Sequence, residues 1–292
     1  MNMNQTTQVN YPPYSVLMAV YALADPAHFD EALRSMVTQT LPPDEIVIVC
    51  DGPLTEELDD VLARYDRECS GLFTVLRLPE HKGVGICCNI GLEACRNDIV
   101  VRMDSDDISE PTRCELEMAE YAADPSLDIV SGYILEFESD KNVGFLRKVP
   151  TDPEETMRYA RRRMPFSNVT IAYRKSKVLE CGGYKDLSRA EDYDLACRML
   201  MAGARFKTLP EILVRVRVDA DAFARRKNWG HIKPLIGVRW GLYRMGFTSL
   251  WDFTVMAGSH LVSLLMPERL IRWLYEKKLR TPYEEENSRK GA

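Results

Sequence analysis

The sequence Asp98-Ile-Val-Val-Arg-Met-Asp-Ser-Asp-Asp107 places three carboxylates directly after a short apolar run. A run of this length between polar residues predicts a buried β-strand. Carboxylates at the end of such a strand are costly unless water, a hydrogen bond or a cation compensates their charge. Asp104 and Asp106 are suitable oxygen ligands for Mg²⁺ or Mn²⁺, although Asp107 leaves the choice of ligands open. The stretch therefore predicts a strand whose end can hold a divalent metal.

The chain before this strand alternates between strand and helix patterns. Strands are predicted at 14–20, 46–50 and 73–78, and helical periodicity follows each of them, with the third helix at 84–95. This alternation predicts an α/β fold with a mostly parallel sheet and helices on both faces. Ligands of such sheets bind at the carboxyl ends of the strands. Four polar residues follow the predicted strands and converge there: Tyr21, Asp51, Lys82 and Asp104.

The second half of the chain changes character. Helices are predicted at 111–123 and 191–202, strands at 128–137, 169–174 and 213–218, and a mainly helical segment from residue 222 onward. These patterns divide the chain into three parts: a loose N-terminal tail at 1–10, a main domain at 11–221, and a helical, amphipathic C-terminal extension at 222–292.

Composition narrows the class of protein. The chain has 292 residues, of which 46% are apolar and 28% charged, as in an ordinary globular protein. A net charge of −6 argues against binding to nucleic acid. The eight cysteines show neither CxxC pairs nor the Cys/His spacing of a zinc site. With no signal peptide evident, they indicate reduced thiols and a cytoplasmic location.

The C-terminal extension has two features that bear on membranes. The apolar segment at 247–266 is interrupted by Asp252 and His260, so it does not predict a transmembrane helix. The next segment, 267–280, combines basic residues with Trp273, a pattern typical of a helix that lies in a membrane interface. Packing of the same helix on the protein's own core is the alternative.

A second acidic pair, Glu191-Asp192, opens the helix predicted at 191–202. The helix dipole favours acids in a first turn, so stabilisation of the helix is one interpretation and a general base is the other. Asp51 has two interpretations as well. It is either a turn former before Gly52 or a carboxylate that accepts hydrogen bonds from a nucleotide.

The turn Lys82-Gly-Val-Gly85 contains part of a dinucleotide-binding fingerprint. It follows the third predicted strand rather than the first, which argues against NAD or FAD. Its amides and Lys82 are instead available to a diphosphate at a helix N-terminus. None of the four histidines lies near a Gly-x-Ser-x-Gly motif, so a Ser-His-Asp triad is not indicated.

Taken together, these motifs resemble the inverting family 2 glycosyltransferases with the GT-A fold. The similarity is strongest to bacterial enzymes that build lipopolysaccharide, capsule and exopolysaccharide, and it extends from about residue 14 to residue 229. The stretches that carry it are residues 14–21, 46–52, 82–83 with 89–91, 102–107 and 191–194.

The resemblance implies one mixed, mostly parallel sheet flanked by helices, with a helical C-terminal extension. It also implies a metal-dependent, inverting transfer of a sugar from a UDP-, GDP- or dTDP-type nucleotide-diphospho-sugar. The acceptor would be a saccharide or a lipid-linked saccharide in bacterial surface polysaccharide synthesis. Such an enzyme would be cytoplasmic and, with a lipid-linked acceptor, peripheral on the cytoplasmic face of the inner membrane.

The resemblance assigns roles residue by residue. Asp192 would be the general base, with Glu191 as its neighbour, and Asp104 and Asp106 would hold Mn²⁺ or Mg²⁺. The donor would be bound by Val20, Tyr21, Ala22, Asp51, Lys82, Asn89 and Asp104. The acceptor and sugar side would be lined by Phe166, Asn168, Gly183, Arg225 and Trp229.

Two departures from the family pattern leave alternatives open. Arg217 stands where many members carry a His that binds the metal, so a third contact would be absent or supplied by water. This favours, as an alternative, a catalytically silent scaffold subunit of a membrane-associated assembly. A nucleotidyltransferase would need a Gly-rich, Arg-containing loop after the first strand, and residues 22–26 do not provide one.

Overall fold

The structure of the protein, a computed structural model, describes residues 10–138, 140–141, 143–218, 229–265 and 281–283. The strands of its central sheet are β1 (Tyr14–Tyr21), β2 (Glu45–Asp51), β3 (Phe73–Arg77), β4 (Ile99–Asp104), β5 (Ile108–Ser109), β6 (Ile129–Phe137), β7 (Phe145–Arg147), β8 (Ala172–Arg174), β9 (Phe206–Arg217) and β10 (Thr281–Pro282). The helices are α1 (Pro26–Val37), α2 (Glu56–Glu68), α3 (Val84–Ala94), α4 (Arg113–Ala123), α5 (Pro153–Ala160), α6 (Lys175–Glu180), α7 (Glu191–Met201), α8 (Trp229–Arg244) and α9 (Leu250–Leu265).

The N-terminal half of the sheet is parallel, in the order β3-β2-β1-β4. Strands β1, β2 and β4 are almost entirely buried. Helices cover both faces of such strands, which is why their sequences are continuous apolar runs. The register sets Tyr21 opposite Asp51 and Ala19 opposite Asp104. The predicted α/β alternation is therefore confirmed, and Tyr21, Asp51 and Asp104 lie at one edge of the sheet.

The second half of the sheet is mixed and turns back toward that edge. Strand β8 is antiparallel to both β4 and β6, whereas β9 runs parallel to β6. Strand β9 also pairs with the two-residue strand β5, which follows the acidic motif directly. The C-terminal end of β9 therefore lies beside residues 104–107, although the two segments are far apart in the sequence.

Several elements differ from those predicted. Strand β9 begins at Phe206 instead of 213, because the ladder continues past Pro210 through register shifts opposite Ser131 and Tyr133. The strand predicted at 169–174 is a 3-10 turn at Asn168–Thr170 followed by β8. Helix α5 was not predicted, although Asp152 caps it and Pro153 occupies its first turn.

Helix α8 packs on α7, and α9 packs on α8. Tyr193 and Cys197 of α7 form a buried apolar cluster with Val238 and Leu242 of α8. The domain boundary predicted near residues 219–223 and the amphipathic segment at 267–280 lie outside the described residues, so both stay predictions. Within the described ranges, every helix is too short or too polar to cross a bilayer.

A buried ion pair lies beneath the acidic motif. Arg113 Nε donates to Glu117 Oε1 at 3.0 Å, and both side chains are completely buried. Arg113 Nη2 also donates to the backbone oxygen of Arg102 at 2.9 Å, which ties α4 to β4. Burial raises the pKa of Glu117 from 4.5 to about 7, and the Arg113 cation only partly opposes this shift.

The raised pKa of Glu117 predicts a specific pH dependence of stability. Because the folded state holds this proton more tightly than the unfolded chain, the contribution of Glu117 is fully present below pH 4.5 and declines toward pH 7. A Glu117→Gln variant is expected to lack this decline, whose slope is at most about 1.4 kcal/mol per pH unit. Urea unfolding between pH 4 and 8 measures the effect, with the exposed Glu68→Gln as control. Equal slopes in the two variants would contradict it.

Candidate active site

The predicted donor-binding residues of β1 lie at the carboxyl edge of the sheet. Val20 is fully buried, so its backbone but not its side chain is available to a ligand. Tyr21 is 45% exposed, with its ring centroid 6.5 Å from that of His81, and Ala22 is exposed. Tyr21 and His81 therefore form an open aromatic edge beside Asp51. His81 was not predicted as a site residue, although its position directly before Lys82 was a usable signal.

The three carboxylates of the acidic motif have different surroundings. Asp104 Oδ1 forms an ion pair with Nη2 of the buried Arg102 at 2.8 Å. Asp107 is buried and accepts the backbone N–H of Arg217 at 3.0 Å, which fixes the end of β9. Solvent reaches Asp106, and no side chain in the described ranges donates to its carboxylate. The surrounding protein and the Asp104 carboxylate raise the pKa of Asp106.

This donor set fits a divalent cation. Asp104 and Asp106 repel one another, and a cation between them would relieve the repulsion that raises the pKa of Asp106. In the described part of the chain, His, Cys, Asp and Glu side chains form no cluster of three that could hold a metal. Two carboxylates suit Mg²⁺ or Mn²⁺, because these ions keep positions for water and for substrate phosphates.

Arg217, where the family resemblance leads us to expect a metal-binding His, makes three side-chain contacts of its own. Its Nη2 pairs with Glu31 of α1 at 2.7 Å, and its guanidinium lies 4.9 Å from the centre of the Phe137 ring. Its Nε approaches the backbone oxygen of Asp106 at 3.3 Å. An arginine is not a metal ligand, since it has no lone pair to offer. Arg217 therefore braces the loop that carries Asp106.

Asp51 organises the turn before α3. Its carboxylate accepts the backbone N–H groups of Lys82 and Gly83 at 2.6 and 3.0 Å, and His81 Nδ1 lies 2.9 Å from it. Gly83 has φ 92, which glycine adopts without strain. The Lys82 side chain is exposed and pairs with Glu80. Asp51 thus shapes the turn, and its contact with a nucleobase stays a prediction.

Asn89 has a structural task that its sequence position did not indicate. Its side-chain amide donates to the backbone oxygen of Tyr184 at 2.7 Å and accepts the Tyr184 N–H at 2.8 Å. The neighbouring Gly183 has φ 65, and a Cβ there would come within 2.6 Å of Asn89 Oδ1. These contacts of Asn89 therefore hold α3 against the turn at 183–184, which positions the loop leading to α7.

Helix α7 presents three acids in its first turn, and they are not equivalent. Asp194 is buried and binds Lys185 at 2.8 Å and Arg198 at 2.7 Å. Asp192 forms no ion pair within the described ranges, and its Oδ1 accepts the N–H of Tyr193 at 2.7 Å. Asp192 and its neighbour Glu191 are the uncommitted acids of this helix.

The electrostatic surroundings of Asp192 suit a proton acceptor. Burial raises its pKa, the Tyr193 amide and Arg102 oppose this shift, and the Asp104 carboxylate adds to it. The pKa of Glu191 is raised by burial and then by Asp192. A carboxylate with a raised pKa is a better base than a solvated one, provided that it is still ionised at the working pH.

Arg102 is the functional residue that sequence reasoning missed. It is almost completely buried, it pairs with Asp104, and its charge opposes the rise that burial causes in the pKa values of Asp107, Glu191 and Asp192. Its Nη1 has no hydrogen-bond partner. The available signal was a lone cation inside an apolar run, two residues before Asp104 and hence on the same strand face.

Removal of the Arg102 charge is expected to change the pH dependence of turnover. Without the cation the pKa of Asp192 rises, so the acid limb of the kcat profile should move to higher pH in Arg102→Met. Arg102→Lys keeps a charge and should shift less. Steady-state rates between pH 5 and 9 test this, and coincident acid limbs in Arg102→Met and wild type would refute it.

The structure describes four of the five residues predicted to line the acceptor and sugar side. Phe166 is fully buried, with its ring edge-on to Phe206 at 5.4 Å between centroids, so the prediction that it lines the acceptor is corrected: it belongs to the core. Asn168 is half-buried at the start of the 3-10 turn. Trp229 begins α8 and is exposed. Arg225 lies outside the described residues.

Two curated relatives resemble this chain over nearly its full length. The amylovoran biosynthesis glycosyltransferase AmsE of Erwinia amylovora is 32% identical over 90% of this chain and 98% of its own length. The UDP-Gal:alpha-D-GlcNAc-diphosphoundecaprenol beta-1,3-galactosyltransferase of Escherichia coli is 30% identical over 92% of this chain and 97% of its own.

A solved structure shares the fold. The mannosyltransferase PcManGT of Pyrobaculum calidifontis, in complex with GDP-Man and Mn²⁺, superposes with a TM-score of 0.63 at 18% identity, over 89% of this chain and 71% of that one. Residues 15–187 match the family described as Glycosyl transferase family 2. With its curled, mostly parallel sheet of the GT-A type, the chain belongs to glycosyl transferase family 2 and is a glycosyltransferase.

Proposed function

We propose that the protein transfers a sugar, with inversion, from a nucleotide-diphospho-sugar to a saccharide or lipid-linked saccharide in bacterial surface polysaccharide synthesis. The observation that carries the proposal is the pair of uncommitted carboxylates, Asp106 after β4 and Asp192 at the start of α7, which both lie within electrostatic reach of Asp104. Similarity to AmsE and to the E. coli galactosyltransferase supports the biosynthetic context.

Asp104 and Asp106 would hold Mg²⁺ or Mn²⁺. Such an ion, when bound, neutralises charge that develops on the departing diphosphate. Asp192 accepts the proton of the acceptor hydroxyl, and the oxygen attacks the anomeric carbon from the face opposite the nucleotide, which inverts the configuration. A positioned base of this kind contributes about 10²–10⁴-fold to the rate.

The donor would lie along the carboxyl edge of the sheet. The backbone at 20–22 and the open edge of Tyr21 and His81 would receive the nucleobase, with Asp51 holding the adjacent turn. Helix α3 has no side-chain cap at its N-terminus, and the exposed Lys82 adds a cation there. Free amides and a cation at a helix start suit a diphosphate.

A lipid-linked acceptor would bring the enzyme to the cytoplasmic face of the membrane. The E. coli relative, by its name, acts on a diphosphoundecaprenol-linked GlcNAc, and its similarity to this chain extends over nearly the full length of both. We therefore propose the same class of acceptor here, with a peripheral location.

A thermal-shift screen tests the proposal. UDP-, GDP- and dTDP-sugars are added to the purified protein with and without Mn²⁺. One nucleotide class is expected to raise the Tm only when the metal is present, since a ligand of the native state stabilises it by about 2.7 kcal/mol at 100 times its Kd. If none of the donors has an effect with metal, or if a stabilising donor is never turned over with lipid-linked or free saccharides, the proposal fails and a silent scaffold becomes the better interpretation.

A further inference from the structure

The outer surface of the α8–α9 pair exposes large apolar side chains. Trp251 is 69% exposed, and its neighbours on this surface are also exposed: Trp240, Leu250, Leu261 and Val262. Within α9, residues 251, 254, 258, 261 and 262 fall on one stripe at helical spacing. Adjoining apolar residues of this kind mark an interaction site more often than isolated ones do.

The opposite side of α9 is packed, which fixes the direction of the stripe. The Phe253 ring lies 5.4 Å from Trp240 and 6.3 Å from Tyr243 of α8, measured between centroids. Asp252 is buried, accepts from Ser249 Oγ at 2.6 Å and pairs with Arg162 Nε at 2.7 Å. The exposed stripe therefore faces away from the protein, on the side of α9 opposite its packing contacts with α8.

The Arg162–Asp252 pair brings a basic cluster next to Trp251. Three other arginines at the end of α5, namely Arg158, Arg161 and Arg163, are exposed, and within the described ranges none of them pairs with an acid. Lys233 and Arg244 of α8 are exposed as well. The one acid of α9, Asp252, is already neutralised by Arg162. The apolar stripe thus has a cationic border.

We propose that this α8–α9 face docks on an anionic phospholipid bilayer. Trp251, Leu261 and Val262 would enter the boundary between headgroups and acyl chains, and Arg158, Arg161 and Arg163 would contact lipid phosphates. Tryptophan favours that boundary because it has an apolar body and a polar N–H, and exposed basic residues are attracted by anionic lipids. The inference rests on the proposed function, because a lipid-linked acceptor places the reaction at a membrane.

The α8–α9 face is joined directly to the proposed base. Tyr193, which follows Asp192, donates its hydroxyl hydrogen to the Ala160 oxygen at 2.7 Å and accepts a hydrogen bond from Arg239 Nη1 at 2.9 Å. Ala160 lies within the basic cluster, between Arg158 and Arg161, and Arg239 belongs to α8. Docking on this face would therefore hold Asp192 at a constant height above the bilayer, where a lipid-linked hydroxyl is presented.

Vesicle co-sedimentation of the full chain tests the inference. Binding is expected to vesicles with 30% phosphatidylglycerol and to be much weaker with phosphatidylcholine alone. The double variants Trp251→Ser/Leu261→Ser and Arg161→Ser/Arg163→Ser should each weaken binding about tenfold or more. Matched controls are Leu179→Ser on α6 and Arg67→Ser on α2, both exposed elsewhere and expected to bind as wild type.

Three outcomes would overturn the inference. The first is that both double variants bind vesicles as the wild type does. The second is that only Trp273→Ser abolishes vesicle binding. The third is that Trp251→Ser/Leu261→Ser converts a dimer in solution to a monomer. Donor-induced thermal shifts are measured on the same variants and should equal those of the wild type, because the changes lie outside the donor site. A wild type that binds vesicles without responding to any donor would refute the proposed function and not the docking surface.

Discussion

An Asp192→Asn variant is expected to bind the nucleotide-sugar donor nearly as well as the wild type and to lose about 10²–10⁴-fold in kcat. The substitution keeps the shape of the side chain and an oxygen that can accept the Tyr193 N–H, but an amide cannot take up a proton. Because Asp192 forms no ion pair within the described ranges, the fold should tolerate the change. Donor binding by calorimetry and single-turnover transfer separate the two effects.

Two controls make this result specific to Asp192. Asp186→Asn changes an exposed acid in the loop before α7 and should leave kcat unchanged. Glu191→Gln removes the neighbouring carboxylate but keeps the proposed base, and it should cost much less than Asp192→Asn. Wild-type turnover by the Asp192→Asn variant would exclude Asp192 as the base.

An Asp106→Ala variant is expected to lose the effect of Mn²⁺ on donor binding. If removal of this carboxylate weakens the donor a hundredfold, then at 100 times the wild-type Kd the stabilisation by donor falls from about 2.7 to about 0.4 kcal/mol. The physical reason is that Asp104 alone, already paired with Arg102, would offer the cation one engaged carboxylate. Thermal shifts with UDP-, GDP- and dTDP-sugars over a Mn²⁺ titration measure this loss.

The matched control for this variant is Asp60→Ala, which removes an exposed acid from α2. It should respond to Mn²⁺ and donor as the wild type does. The Tm without ligands should be similar in Asp106→Ala and wild type, since Asp106 receives no side-chain hydrogen bond in the described ranges. An unchanged Mn²⁺ titration in Asp106→Ala would remove this residue from the metal site.

The parallel half of the fold could be predicted because its signals are local. Buried strands such as β1 and β2 are continuous apolar runs, and helices α1 and α2 begin at the capping residues Asp25 and Thr55. The second half of the fold was harder to predict, because β5 and β7 are only two and three residues long. Strands of that length carry no periodicity and exist because β9 and β6 lie alongside them.

For the site, the sequence indicated the position of the chemistry better than the role of each side chain. Phe166 shows the limit. It stands next to the polar pair Ser167-Asn168, yet its ring is buried against Phe206 at the start of β9. Arg102 is the opposite case. A cation in an apolar run is unusual enough to be noticed in the sequence, but only the acids that surround it in the folded structure explain it.

By itself, the sequence determined the α/β alternation, the strand ends that carry polar residues, and the two acidic motifs. Only the tertiary structure decided which acids are free. Asp107 is engaged by Arg217 and Asp194 by Lys185 and Arg198, whereas Asp106 and Asp192 stay uncommitted. Burial follows from short-range patterns along the chain, but the charge state of a carboxylate depends on the groups that folding brings within a few ångströms of it, and Arg217 is 110 residues from Asp107.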